Sequence, residues 1–132
     1  MAETLRTIKI ELPFAPPSEL SPNARVHWAV KAKKAREMRD SGYNHAIMDE
    51  ELDEHLQLLD PMERAKITFT FYKAGRVDEP NLTSSMKSWV DGLVDAGLFK
   101  DDDYKHMTSG EHSVVRCKRK DESTVILIEE LA

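Results

Sequence analysis

The run from Pro80 to Gly97 leaves the backbone few choices. Proline has no N–H to donate, which costs nothing in the first turn of a helix. Gly97, directly after Ala96, suits a left-handed cap at a helix end. Between these two marks Leu82, Met86, Val90, Leu93 and Val94 recur every three or four residues and make one apolar stripe. Ser84, Lys87, Asp91 and Asp95 fall on another face. The spacing predicts one amphipathic helix from Asn81 to Ala96, roughly 22 Å long at 1.5 Å per residue. Carboxylates gather on both sides of it: Asp78 and Glu79 before, Asp101, Asp102 and Asp103 after.

The rest of the chain supplies strands for such a helix to cover. Thr4 to Pro13 alternates, with Leu5, Ile8, Ile10 and Leu12 set between Arg6, Lys9 and Glu11. Ala65 to Lys73 does the same, with Ile67, Phe69 and Phe71 opposite Thr68, Thr70 and Tyr72. It delivers the chain to Ala74-Gly75-Arg76 and then to Asp78. Thr124 to Glu130 is apolar on both faces, which predicts a central strand. Residues 106–109 and 111–118 flank Gly110 and read as a hairpin. Pro13, Pro16, Pro17 and Pro22 enforce a loop, after which Ser21 or Asn23 can cap a helix from about Arg25 to His45. Met48 to Glu63 is strongly acidic, with Leu52, Leu56 and Leu59 at helical spacing, and reads as a solvated amphipathic helix. The expected order is β-α-β-α-β-β-β. That is an α/β (α+β) fold with a mixed sheet and two main helices, in a single domain over residues 1–132.

Charge limits the partners. With 24 acidic against 19 basic residues the net charge is −5, so the surface as a whole repels nucleic acid. Any DNA contact must come from local patches. Arg25, Lys31, Lys33, Lys34, Arg36 and Arg39 face only Glu37 and Asp40 across the first helix, which is the most basic segment. Arg76 precedes the first acidic turn, and Arg116, Lys118 and Lys120 alternate near the C-terminus. Phosphate contact is one reading of these residues. The bland one is lysine stems lying over apolar neighbours on a solvated helix, and an edge strand blunted by charge. Cys117 is the lone cysteine, which excludes an intramolecular disulfide and a multi-cysteine zinc site. No apolar run is long enough to span a bilayer, and the polar start is no signal peptide. The expectation is a soluble protein of the cytoplasm, bacterial or of a phage-infected host, with no membrane partner.

The ordered set Asp78, Asn81-Leu82, Lys87, Asp91-Gly92-Leu93, Ala96-Gly97 and Asp101-Asp102-Asp103 resembles the hallmark of the RusA family of Holliday-junction resolvases, especially its phage-type members. Ser21-Pro22-Asn23, Arg25 and His27-Trp28 are similar to that family's N-terminal signature. Pro80 departs from the pattern: it stands where the family has a second aspartate, with Glu79 just before it. The resemblance implies a magnesium-dependent endonuclease that nicks four-way DNA junctions, with Mn²⁺ able to substitute. Asp78 and Asp102 match metal positions and Lys87 matches the essential lysine. Asp101 lies one residue from a metal position, and Glu79 could stand in for the missing aspartate. Carboxylate-held magnesium provides an activated water and charge stabilisation, the two things phosphodiester hydrolysis requires. A lysine can stabilise the transition-state phosphate. Taken by itself, Lys87 also reads as an exposed i,i+4 partner of Asp91.

A straight helix would keep Asp78 and Asp102 apart, since the residues from Gly97 to Asp102 return at most about 17 Å. Two such helices, packed antiparallel about a two-fold axis, would bring Asp78 of one subunit to Asp102 of the other. A homodimer with composite sites is therefore expected, matching the symmetry of a junction. Trp89, at the flank of the apolar stripe, is a candidate for that contact. His27 and Trp28 read as a packed aromatic pair, and the other histidines show no metal-ligand spacing. Two alternatives stand beside the nuclease: a RusA-like protein that binds branched DNA but cuts poorly because of Pro80, and a small acidic interaction protein with no DNA role.

Overall fold

A computed structural model describes residues 4–22, 24–48, 61–76, 78–100 and 107–131. The elements are β1 (Thr4–Leu12), α1 (Trp28–Met48), β2 (Ala65–Lys73), α2 (Glu79–Ser85), α3 (Lys87–Asp95), β3 (Met107–Ser109), β4 (Ser113–Arg116) and β5 (Ser123–Leu131), with short 3-10 turns at Ser18–Leu20 and Arg119–Asp121. The fold is mixed α+β. In the sheet β5 lies between β1 and β2 and is antiparallel to both, while β3 and β4 pair with β2 in parallel on its other side.

Alternation decides which face of the sheet is covered. Ile8, Ile10 and Leu12 of β1, Ile67, Phe69 and Phe71 of β2, and Ile126 and Ile128 of β5 are all buried. They share one core with Met38 and Ala46 of α1 and with Leu82, Trp89 and Leu93 of the α2–α3 segment. The helices thus form one layer over one face of the sheet, the usual way to bury a half-apolar sheet. The central position of β5 agrees with its apolar sequence. At its end Glu130 is buried but paired, its Oε1 accepting from Arg6 Nε at 2.6 Å and its Oε2 bonded to Nη2 of the same guanidinium. A bidentate partner of this kind is what a buried carboxylate requires.

Three expectations are corrected. The segment after Gly110 is no hairpin: β3 and β4 run the same way as two pieces of one edge. The partner offset changes by one residue between Ile67↔Ser109 and Thr70↔Ser113, so an extra residue bulges out where the edge breaks. Gly110 passes so close to Thr68 that a Cβ there would lie 1.9 Å from its Oγ1. The break exposes the Phe69 N–H, and His112 Nδ1 accepts it at 3.0 Å in place of a strand carbonyl. Secondly, the long helix is two. Met86 interrupts it with φ −88° and ψ −6°, and its N–H bonds to Thr83 O in a tighter turn. Thirdly, α1 begins at Trp28 rather than Arg25. Its first turn is closed by His27, whose Nδ1 accepts from the Ala29 N–H at 3.1 Å. The expected acidic helix over Met48 to Glu63 falls mostly outside the described residues.

No described helix is long and apolar enough to cross a membrane.

Candidate functional site

The resembling motif divides by what its residues do. Gly92 sits where α3 meets α1. A Cβ on it would lie 2.0 Å from the Arg39 carbonyl oxygen, and one on Gly42 would lie 1.9 Å from that of Trp89. The two glycines let the helix backbones touch. Ala96-Gly97-Leu98 closes α3 with a Schellman cap: Gly97 has φ 90°, Leu98 N bonds to Leu93 O at 3.1 Å, and Gly97 N to Val94 O at 2.9 Å. Asp95, just before it, accepts a bidentate bond from Arg39 at 2.5 and 2.7 Å. That guanidinium, through its hydrogen bonds, holds the Asp95 carboxyl below the usual carboxylate range. Trp89 is fully buried under α1, so it cannot face a second subunit. That side of α3 is occupied by α1.

The other residues of the motif stay outside the core. Asp78 is exposed at the N-cap position of α2, with extended backbone. Its carbonyl oxygen accepts from Asn81 and Leu82 N–H at 3.1 and 3.3 Å, while its carboxylate makes no capping bond. Glu79 is engaged: its Oε1 accepts from the Thr83 hydroxyl at 2.7 Å, four residues on. Pro80 occupies the first turn, as its missing N–H allows. Lys87 opens α3, its side chain 71% exposed, with Nζ 3.4 Å from Asp91. That is the i,i+4 pair foreseen from spacing, and at such exposure it contributes little.

A turn carries β2 to Asp78. Glu122 Oε2 accepts from Lys73 Nζ at 2.8 Å and from Ala74 N at 2.9 Å, which ties the turn to the start of β5. The Lys73 ammonium, followed by the Ala74 N–H, holds the Glu122 carboxyl below its ordinary range. Gly75 follows at φ 80°. At this end of the sheet Arg116 pairs with Lys73 in register, and Arg76 lies exposed three residues beyond. The other end of β2 is tied differently. Met62 bridges to Phe99, with Met62 N on Leu98 O at 2.7 Å and Lys100 N on Met62 O at 3.1 Å. Lys100, the residue before Asp101, is thus held near the start of β2, while Asp78 follows its end. A strand of nine residues separates its termini by about 26 Å. Asp101, Asp102 and Asp103 lie outside the described residues, and among the described residues no group of three or more His, Cys, Asp and Glu side chains gathers.

Of the basic residues, Lys31 and Lys87 are brought together. Both line a groove of 330 Å³ between the first half of α1 and the bend at Met86, shared with Trp28, Ala32, Ala35, Ser84 and Ser88. Lys34 is drawn toward Glu19 and Glu37 at 3.7 and 3.5 Å. Arg25, Lys33 and Arg36 are exposed on α1 and the loop before it. Arg116 lies exposed on the edge strand, as the bland reading has it, whereas Lys118 and Lys120 fall in the 3-10 turn region and not on the strand face.

Two features escaped the spacing of residues. Trp28 is 76% exposed, while its partner His27 sits 5.5 Å away between ring centroids. His112 is fixed by the Phe69 N–H and packs tilted against the Phe69 ring, 5.1 Å between centroids, with a buried Nε2 that has no partner among the described residues. It lines a second cavity, of 320 Å³, together with Lys87, Thr83 and Phe69. A lone histidine two residues after a glycine carries no local signal of that role. Cys117 is half-buried, and burial, followed by the charge of Glu122, pushes its thiol up and keeps it protonated.

No family model matches the chain. An uncharacterized protein of Xylella fastidiosa (strain Temecula1) is 33% identical to it over 99 residues, which are 73% of this chain and 61% of that protein. The chain therefore spans about three fifths of that relative's length.

Proposed function

We propose that the chain is a RusA-like endodeoxyribonuclease that nicks four-way DNA junctions with magnesium. One observation carries the reading. The acidic and basic members of the motif that chemistry requires, Asp78 and Lys87, are those the fold leaves outside its core, whereas Gly92, Leu93 and Gly97 are accounted for by packing and capping. Hard carboxylate oxygens suit magnesium, and Asp78 supplies a pair not used in capping. Asp78 and Asp102 would hold the ion, with Asp101 and Glu79 as neighbours; manganese can take the same oxygens. When bound, the ion supplies an activated water and neutralises charge on the phosphoryl oxygens. Lys87 stabilises the phosphate, and Lys31 beside it in the groove holds the strand. Arg25, Lys33, Lys34, Arg36, Arg76, Arg116 and Lys118 supply the remaining phosphate contacts.

The placing of Lys100 at one end of β2 and of Asp78 beyond the other supports composite sites in a homodimer, where Asp102 of one subunit serves Asp78 of its mate. The test is junction cleavage with Mg²⁺ or Mn²⁺, beside a gel shift without metal. Cleavage by the wild type that is lost in Asp102→Asn supports the enzyme. Mixing Asp78→Asn with Asp102→Asn chains restores cleavage only if the sites are shared.

A second reading has its own observation. Pro80 replaces a carboxylate and Glu79 is already bonded to Thr83, so a chain that binds branched DNA with weakened cutting is the alternative. Binding without cleavage selects it. Neither activity at low salt leaves an acidic interaction protein, in keeping with the net charge of −5.

A further inference from the structure

The helix pair α1 and α3 touches at Gly42 and Gly92. Toward the start of α1 it borders the groove of 330 Å³, whose lining contains two lysines, Lys31 and Lys87, and no carboxylate. Ser84 and Ser88 add hydroxyls on the facing wall. Lys87 also pairs with Asp91 at 3.4 Å, outside the lining, so the positive charge this concavity offers an anion comes from Lys31 and from an ammonium that Asp91 shares. At its rim stands Trp28, 76% exposed, although tryptophan is a residue that folding normally covers. It is held beside His27, which is itself pinned by its bond to the Ala29 N–H.

A groove lined by lysines with an open indole at its edge matches the chemistry of single-stranded nucleic acid, in which phosphates follow the charge and an unstacked base lies on the aromatic ring. We infer that this groove binds a short unpaired DNA segment, with Trp28 stacking one base and Lys31 and Lys87 holding adjoining phosphates. Bases inside a duplex are already stacked and cannot use Trp28. The substrate class is therefore DNA with unpaired nucleotides. The inference rests on the DNA reading above and deepens it.

The test needs no metal and no cleavage. The chain has two tryptophans, and Trp89 is buried, so a solvent-exposed emission component reports Trp28. Titration in EDTA with an oligothymidylate of about ten nucleotides quenches that component, with an affinity that falls as salt rises. Trp28→Ala weakens binding about 5- to 150-fold while the emission of Trp89 is unchanged, which shows that the fold is kept. Trp28→Phe recovers part of the affinity, and Lys31→Ala reduces the salt dependence. The inference is overturned if the oligothymidylate leaves the emission unaltered, if Trp28→Ala binds it like the wild type, or if duplex of the same length binds as tightly and quenches as much. A protein that quenches yet never cuts junctions sinks the nuclease alone. One that cuts junctions with Trp28 unresponsive sinks this inference alone.

Discussion

Asp78 to Lys87 and Trp89 to Leu98 are neighbouring runs of similar length in one segment, and they have opposite relations to the core. The second is nearly all structure: Trp89, Leu93 and Leu98 are buried, Gly92 admits the backbone of α1, and Gly97 caps the helix. The first has one buried stripe, Leu82, Ser85 and Met86, and a polar side with few structural duties. Asp78 has an uncapped carboxylate, Ser84 is exposed, and Lys87 stands on a groove wall. The lesson is that a motif can mix residues needed for the fold with residues available for chemistry, and that only the second kind bears on function.

Mutation can break that division or sharpen it. Trp89→Ala should have the largest effect, destabilising by about 3–5 kcal/mol in urea unfolding, because it empties the site between α1 and the sheet. Gly92→Ala comes next, at about 3 kcal/mol, since its Cβ would lie 2.0 Å from a backbone oxygen that cannot swing aside. If it is neutral, the close approach of the helices is wrong.

Glu122 should act through pH. Its folded carboxyl is lowered from 4.5, so its contribution is present above that value and disappears as pH falls through the lowered one. Glu122→Gln should cost about 1 kcal/mol at neutral pH and flatten the acid limb of the stability curve, as pH-dependent unfolding would show.

The smallest change in stability belongs to Asp78→Asn and Lys87→Ala, within about 0.5 kcal/mol each, because both side chains are exposed. On the proposed nuclease reading, their effect on junction cleavage is near-complete loss. Should either unfold the protein instead, the contrast between the two runs collapses.

Much of this molecule was legible from local order. The alternation of Ile67, Phe69 and Phe71, the doubly apolar run at Val125 to Ile128, and the Ala96-Gly97 stop depend on neighbours a few residues away, and each lies where its spacing requires. So did the surface pair of Lys87 and Asp91. The break at Met86 was not legible, since the periodicity of its apolar stripe runs through it unchanged. The parallel, interrupted edge of β3 and β4 could not be read either, because a glycine between two extended runs looks like a hairpin until the partner strand is known.

Residue order alone determined strands β1, β2 and β5, the Gly97 cap and the presence of carboxylates before and after one helical segment. Those features follow from backbone geometry and period. Tertiary structure alone decided that Trp89 turns inward, that Gly42 meets Gly92, and that Lys31 and Lys87 share a groove with an exposed Trp28. These are contacts between residues some 50 positions apart, set by how two helices cross over a common sheet, and no local pattern encodes the crossing.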